Sequence, residues 1–492
     1  MRAPPAAELR LRLPGRELLG VFCGCLVWAL VVRPGALSLP YFWDEADVYA
    51  PGAKWLADHD LNPTPGHFPD DWSRGHPPLL YVVASLAFRI FGPGPAVGHA
   101  LIVPFTALAL TATYALGAER GGRRVGIAAL VLLGTSPLFL SMGAFLLPEM
   151  PLTALTVLAL FLLSRNELGW AAVVGVLLVW IKETGVGPPI AIAAGVGLSA
   201  YLEARRAPRD GARAGLRHAL RPVLLSSSPV LALAAFFVWQ RLTAGYFVFP
   251  HHQNLLAARP FGLEDVLTVF PSIFLWHGRW VVSLAALGAL VVLGIRRRWP
   301  TSLRPDATNL AIVFLFLGNA VFFAKMFWLE RYALPVHPGL LVLMVLLLVE
   351  AGRALPERFA SAAFAPVVVS GALGLASLST PGEAEEHTFA FADIVESHRD
   401  AYARMDGRGD DPLIVTTWPL TTELREPWLG YVDAPMRSEH PDDLGAQIPD
   451  IVLVDPRSHR RDELRDLARV HGLSVLETVS HGSAPPLEIW SR

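Results

Sequence analysis

The sequence predicts an all-α polytopic membrane protein with a small C-terminal α/β domain. Three observations lead there. Hydrophobic residues fill 53% of the 492 positions and charged residues 17%, against about 25% charged in an ordinary soluble domain. The apolar residues come in runs long enough for a bilayer, which takes roughly 17–25 residues per helix. Past residue 380 the pattern changes to short apolar runs between turn residues, with acids outnumbering bases. The net charge of −2 averages different compartments and says little about partners.

Arg10, Arg12 and Arg16 precede a first apolar run at 17–33. No small-residue cleavage site follows, so it reads as a retained span with its N-terminus inside. Cys23 and Cys25 lie two apart on that helix and face different sides. They read as packing residues, not as a disulfide or metal pair. Pro34, Gly35 and Pro40 end the span. Residues 34–77 are polar, aromatic and rich in Pro and Asp. The part near 44–58 is expected as a short helix at the interface, with Tyr41, Trp43 and Trp55 as belt residues.

Further spans are expected at about 78–92, 96–118, 125–147, 149–163, 168–181, 184–202, 219–240, 280–295, 308–327, 333–349 and 360–379. The total is about 11–13 transmembrane helices. Residues 263–277 are amphipathic. Pro148 and Pro151 bracket Glu149, and Lys182-Glu183-Thr184-Gly185 interrupts another apolar stretch. The arginine-rich loops at 203–221 and 296–304 belong in the cytoplasm. That puts the 34–77 loop, the Lys325–Arg331 loop and everything past 380 outside. Counting forward from an inside N-terminus misses this orientation by one crossing within 78–202, where Arg120, Arg123 and Arg124 make the conflict visible. One segment there does not cross, or two are one broken helix. In the C-terminal part, Leu413–Trp418, Ile451–Val454 and Ser474–Thr478 read as strands and 461–470 as an amphipathic helix. The expected domains are 1–379 and 380–492.

There is no GxGxxG at a strand-to-helix turn, no GxxxxGK and no CxxC set. The arginine clusters are short and juxtamembrane, which excludes a nucleic-acid partner. The chemistry sits in charges within apolar surroundings, where a central charge costs about 2.5–3.5 kcal/mol on insertion scales. Asp44 and Glu45 are adjacent, so on a helix they point about 100° apart and cannot act as a face pair. One can deprotonate an acceptor while the other holds a loop, a sugar hydroxyl or a divalent cation, Mg or Mn. Arg74 and His76 enter the second expected span; the Arg offers a planar fork to phosphate. Lys182-Glu183 reads as an ion pair, functional or locking two helices, and Glu149 is similar. Lys325, Arg331 and Tyr332 suit a lipid phosphate or ordinary snorkelling. His251-His252 is no metal signature by itself. Together these residues predict an outer-face cavity for a substrate with a phosphate leaving group, which needs phosphate stabilisation and a base for the acceptor. The absence of a nucleotide-sugar domain favours a lipid-carried donor.

The first-loop Asp44-Glu45, the Arg74–Pro78 segment, Pro148-Glu149, Lys182-Glu183 and Arg331-Tyr332 resemble the bacterial membrane glycosyltransferases of the GT-C superfamily. The likeness covers roughly residues 17–350 and is nearest to glycosyltransferase family 39, with its protein O-mannosyltransferases and the aminoarabinose transferase acting on lipid A. It implies a polyprenyl-phosphate sugar donor, a lipid, glycan or protein acceptor, and inverting hexosyl or pentosyl transfer. It implies a bacterial cytoplasmic (inner) membrane protein embedded in membrane lipid, with site and C-terminal domain on the extracytoplasmic side. Asp44 would be the catalytic carboxylate, with Glu45 supporting it or a metal. Arg74, Lys182 and Arg331 would meet phosphate, with His76 and Tyr332 beside them. Glu149, Glu183, His251 and Lys325 are secondary candidates. The other readings are a transporter or flippase for a lipid-linked or anionic substrate, and a scaffold displaying 380–492. An anchor needs only one helix, which argues against the last.

Overall fold

The computed structural model describes residues 13–492 apart from 33–34, 207–208, 259–261, 298, 327, 357–360, 381–384 and 406–410. Among the described residues, five helices are long and apolar enough to cross a membrane: Pro95–Gly121, Glu183–Arg206, Leu220–Thr243, Ala307–Lys325 and Glu330–Ala354. Shorter apolar helices are Leu79–Phe91, Glu149–Ser164, Leu168–Ile181, Arg279–Ile295 and Ala362–Ala376. The first apolar run forms the helix Gly15–Val31, with Cys25 buried and Cys23 exposed, both free. The fold is thus a multi-pass helical bundle carrying a C-terminal α/β part.

One end of the bundle collects basic groups. Arg123 pairs with Glu17 at 2.6 Å and Arg120 with Asp306 at 2.6 Å, and Ser302 donates to Glu350 at 3.0 Å. The loop after Gly15–Val31 lies at the other end. The helix Leu79–Phe91, expected as a span, belongs wholly to that other end. Near its start Tyr81 donates to Trp72 O at 3.1 Å, and near its close Arg89 donates to His59 O at 2.8 Å. The helix packs along Ala50–Asp58. The chain beyond it is still on the same side, since Tyr41 donates to Gly94 O at 3.1 Å. Its sequence reads as a span because it buries an apolar face under the first loop instead of under lipid. Removing this crossing from the count cancels the one-crossing mismatch, and all the arginine-rich loops fall on one side.

Other breaks are local. The expected span at 125–147 is two pieces, Arg123–Gly134 and Pro137–Met142, with Pro137 at the first turn of the second. Leu168–Ile181 stops at Lys182, whose backbone is extended (φ −158°, ψ 146°), and a 3₁₀ turn Glu183–Val186 leads into Gly187–Arg206. Gly185 makes this break feasible: a Cβ there would lie 2.2 Å from Leu178 O. Gly117 and Gly126 let Pro95–Gly121 and Arg123–Gly134 touch along their backbones, where a Cβ at Gly117 would meet Gly126 Cα at 2.9 Å.

The C-terminal part opens with the helix Ala390–Met405. Its strands are β1 (Ile414–Val415), β2 (Ser438–Glu439), β3 (Ile451–Val454), β4 (Ser474–Val479) and β5 (Leu487–Ser491). The sheet order is β2-β1-β3-β5-β4. β1 runs parallel to β2 and β3, and β5 antiparallel to β3 and β4. The helix Arg461–Val470 covers one face through Leu464 and Ala468, against Val452 and Val454. The strand expected over 413–418 is only β1. The apolar core does not stop at residue 380. Phe391, Ile394, Tyr402, Leu420 and Leu429 share one buried cluster with Tyr41 and Phe42. Phe42 stacks on Phe391 at 5.7 Å between centroids, and Tyr41 N donates to Leu429 O at 3.0 Å.

In a background with Cys23 and Cys25 replaced by Ala, a membrane-impermeant maleimide should label Asp71→Cys and Ala96→Cys from the same side of sealed vesicles. Arg124→Cys should label from the opposite side. Labelling of the first two from opposite sides would restore a crossing at Leu79–Phe91.

Candidate active site

The first loop is shaped by Trp43, which adopts φ +55°. A bulky residue there is a backbone outlier of the kind that clusters at functional sites. A π-helical turn, Glu45–Tyr49, follows and runs into Ala50–Asp58. This geometry sends Asp44 and Glu45 to different partners.

Glu45 is fully buried. Its Oε2 accepts from Phe42 N at 3.1 Å, and its Oε1 accepts from Leu146 N and lies 3.0 Å from His99 Nε2. His99 Nδ1 is 3.2 Å from Leu37 O. Glu45 therefore ties the first loop to the Pro95–Gly121 helix and to the 143–148 segment, and both its oxygens are committed.

Asp44 keeps 30% of its side chain exposed and accepts a hydrogen bond from Arg331 Nη2. Arg331 Nη1 donates to Glu386 Oε2 at 2.9 Å, and its Nε lies 4.0 Å from Glu149 Oε1. That Nε is buried without a hydrogen-bond partner, as is Glu149 Oε2. Lys182 Nζ sits 3.3 Å from Glu149 Oε1 and 5.3 Å from the centroid of Tyr332, over which Arg331 also lies at 5.5 Å. The sequence thus led to Asp44, Glu149, Lys182, Arg331 and Tyr332 as candidates, and the fold gathers all five.

One expectation needs correction. Lys182 and Glu183 do not pair with each other. The extended backbone at Lys182 sends consecutive side chains to opposite sides, and Glu183 Oε2 instead meets His76 Nδ1 at 2.8 Å. His76 stacks parallel to Tyr49 at 6.3 Å and faces His252, not His251, at 5.2 Å. His251 is exposed. The donors do not fit a metal on Asp44 and Glu45: Asp44 faces a guanidinium and Glu45 is spent on three hydrogen-bond partners. Among the described residues no group of three or more His, Cys, Asp and Glu gathers to hold an ion. Arg74 pairs with Asp47, whose Oδ1 accepts from Trp418 Nε1 at 3.1 Å. Lys325 stands half-buried at the close of Ala307–Lys325.

Asp47, His99, His252, Glu386 and Trp418 were not anticipated. Asp47 lies three residues past Asp44, a helical spacing that could have flagged it. Glu386 lies in a polar tether with no periodicity to mark it.

Burial would push the Asp44 carboxyl up, but Arg331 beside it, with Lys182 and Arg74 further off, holds it below the usual carboxylate range. Burial raises Asp47 against the pull of Arg74, and raises Glu386 against that of Arg331. Burial, and His76 after it, lowers His252 to about 4.

Beside this cluster runs a groove of about 670 Å³. Leu152, Ile190, Ala191, Leu233, Phe237 and Phe314 line it, and its polar members include Glu149, Glu183, Asn319 and Tyr332. Through Glu149 the groove reaches the carboxylate that Lys182 and Arg331 approach.

No family model matches the sequence, and no curated protein matches it. Solved structures do. ArnT from Cupriavidus metallidurans bound to undecaprenyl phosphate aligns over 97% of this chain and 98% of its own, at 14% identity and a TM-score of 0.58. The apo state of the same ArnT aligns over 96% and 98%, at 14% identity and a TM-score of 0.55. An oligosaccharyltransferase from Archaeoglobus fulgidus, in complex with Zn and sulfate, is a looser likeness: 16% identity over 86% of this chain and 62% of its own, TM-score 0.46. The chain shares the fold of ArnT along nearly the whole of both chains.

Replacing Glu45 by Ala strips an acceptor from His99 and from two buried amides. The expected loss is about 3–5 kcal/mol, read as a large drop in thermal midpoint in detergent. Asp44→Asn should lower it far less. For His252, the neutral form is favoured in the folded protein. The unfolded chain therefore takes up the proton first, and stability should fall as pH drops from about 6.5 toward about 4, then level off. His252→Gln should flatten this part of a stability–pH curve measured by thermal unfolding.

Proposed function

We propose that this protein transfers a sugar from a polyprenyl-phosphate donor to an acceptor hydroxyl at the outer face of the bacterial cytoplasmic membrane. The acceptor class is lipid, glycan or protein, and the anomeric centre inverts. The observation that carries the reading is the apolar groove lined at one point by Glu149, the carboxylate that Lys182 and Arg331 both approach, with the partly exposed Asp44 on another nitrogen of Arg331. ArnT, whose fold this chain shares, has been captured with undecaprenyl phosphate.

In this reading the polyprenyl chain lies in the groove, and its phosphate meets Lys182 and takes the place of Asp44 on Arg331. Asp44 accepts the acceptor's proton as the hydroxyl oxygen attacks the anomeric carbon. The bond from that carbon to the phosphate oxygen breaks, and the electron pair leaves with the phosphate. Lys182 and Arg331 stabilise the charge that grows there, in surroundings that strengthen each interaction. Attack opposite the leaving group inverts the configuration. Asp44 suits the base role because its neighbours keep it ionised at neutral pH. Arg74, held by Asp47, borders the acceptor side. The arginine-rich loops at the opposite end support an outer-face site.

Asp44→Asn should cut transfer by about 10²–10⁴-fold in proteoliposomes given labelled polyprenyl-phosphate sugar, while undecaprenyl phosphate still binds. Lys182→Ala should weaken that binding by about tenfold or more. Full transfer by Asp44→Asn would overturn the catalytic assignment. Passage of the labelled lipid-linked sugar across the bilayer without a new glycosidic bond would point to a flippase instead.

A further inference from the structure

The segment between the last apolar helix and the C-terminal α/β part is more than a tether. Its Glu386 and His387 are both buried and meet Glu330 and Arg331 crosswise. Glu386 Oε2 lies 2.9 Å from Arg331 Nη1, and His387 Nδ1 lies 2.7 Å from Glu330 Oε2. Each arm is braced from behind. Ser141 Oγ donates to Glu386 O at 2.7 Å, and Arg279 Nη2 pairs with Glu330 Oε1 at 2.9 Å. Two consecutive residues of one segment thus clasp two consecutive residues of another across 55 positions of chain.

The charges around Arg331 give this clasp a role. Arg331, Lys182 and Arg74 supply three cations, while Asp44, Asp47, Glu149 and Glu386 supply four carboxylates. A phosphate entering this cluster adds negative charge to a site already filled with it. One carboxylate must yield its place on Arg331. Glu386 is fixed by its backbone anchor and by the neighbouring arm, and Glu149 is buried at a helix start. Asp44 is the least buried of the three partners, with 30% of its side chain exposed.

Resting on the polyprenyl-phosphate reading above, we infer that Glu386 is a positioning residue. It pins Arg331 to the C-terminal tether, so that the guanidinium exchanges Asp44 for the donor phosphate without leaving the site. The exchange does two things at once. It gives the phosphate a bound, desolvated cation, and it releases Asp44 from its ion partner, which makes that carboxylate a stronger base when the donor is in place. Glu386 also competes with the phosphate for the same cation, and this predicts an effect that a packing role does not produce.

The test uses the full chain in detergent, with undecaprenyl phosphate as the probe and thermal midpoints recorded for every variant. Glu386→Gln keeps the acceptor and the shape but removes the competing charge. It should bind undecaprenyl phosphate about tenfold tighter than the wild type. Glu386→Ala loses the anchor and should bind more weakly than the wild type. In an Arg331→Ala background the Gln substitution should change binding less than twofold. His387→Gln breaks the other arm, and should lower the thermal midpoint while leaving binding within twofold. Equal binding by wild type, Gln and Ala variants overturns the inference. So does equal weakening in both, or a Gln effect that survives Arg331→Ala. A wild type that fails to bind undecaprenyl phosphate overturns the donor reading and this inference together; a wild type that binds, with no opposite response of Gln and Ala, overturns only the inference.

Discussion

One guanidinium holds this protein's site together. Arg331 is almost fully buried and lies within ion-pair distance of carboxylates from three remote stretches: Asp44 in the first loop, Glu149 at a helix start and Glu386 in the tether. A buried charge without partners is strongly destabilising, by about 3–5 kcal/mol, so the three segments are bound to arrive together. The helix break at Lys182 serves the same end, since it supplies a second cation to the Glu149 that Arg331 approaches. The apolar groove, the first loop and the tether are thereby referred to one point.

Much of this was legible in the chain. Charges in apolar surroundings are costly, and on that ground Asp44, Glu149, Lys182 and Arg331 stood out before any geometry was known. The alternation of spans and basic loops was legible too, apart from one crossing. Leu79–Phe91 misled because hydropathy records how apolar a helix is, not whether lipid or a folded loop covers it. Partner choice was not legible. Lys182 and Glu183 are neighbours in sequence, but the extended backbone at Lys182 separates them, and an extended residue within an apolar run leaves no periodic trace. Glu45 looked like a twin of Asp44 until the left-handed turn at Trp43 and the π turn after it sent it inward. Glu386 and His252 owe their places to long-range packing alone.

Fold and chemistry also rest on different grounds here. The architecture agrees with that of ArnT along nearly the whole of both chains at 14% identity, so the bundle survives wide substitution. What function adds is a sparse set of charged and aromatic side chains at one end, while the rest of the bundle has only to be apolar and well packed.

The shared core between the first loop and the Ala390–Met405 helix bears on how the protein is made. Tyr41 and Phe42 leave the ribosome early, whereas Phe391, Trp428 and Leu429, which touch them, emerge only after the last apolar helix. During synthesis the loop bearing Asp44 is thus an open aromatic surface beside the membrane, and Arg331 emerges before Glu386. The site closes in a single late event. A chain cut short near its end inserts with all its helices yet leaves this surface uncovered, a feature by which incomplete copies differ from finished ones.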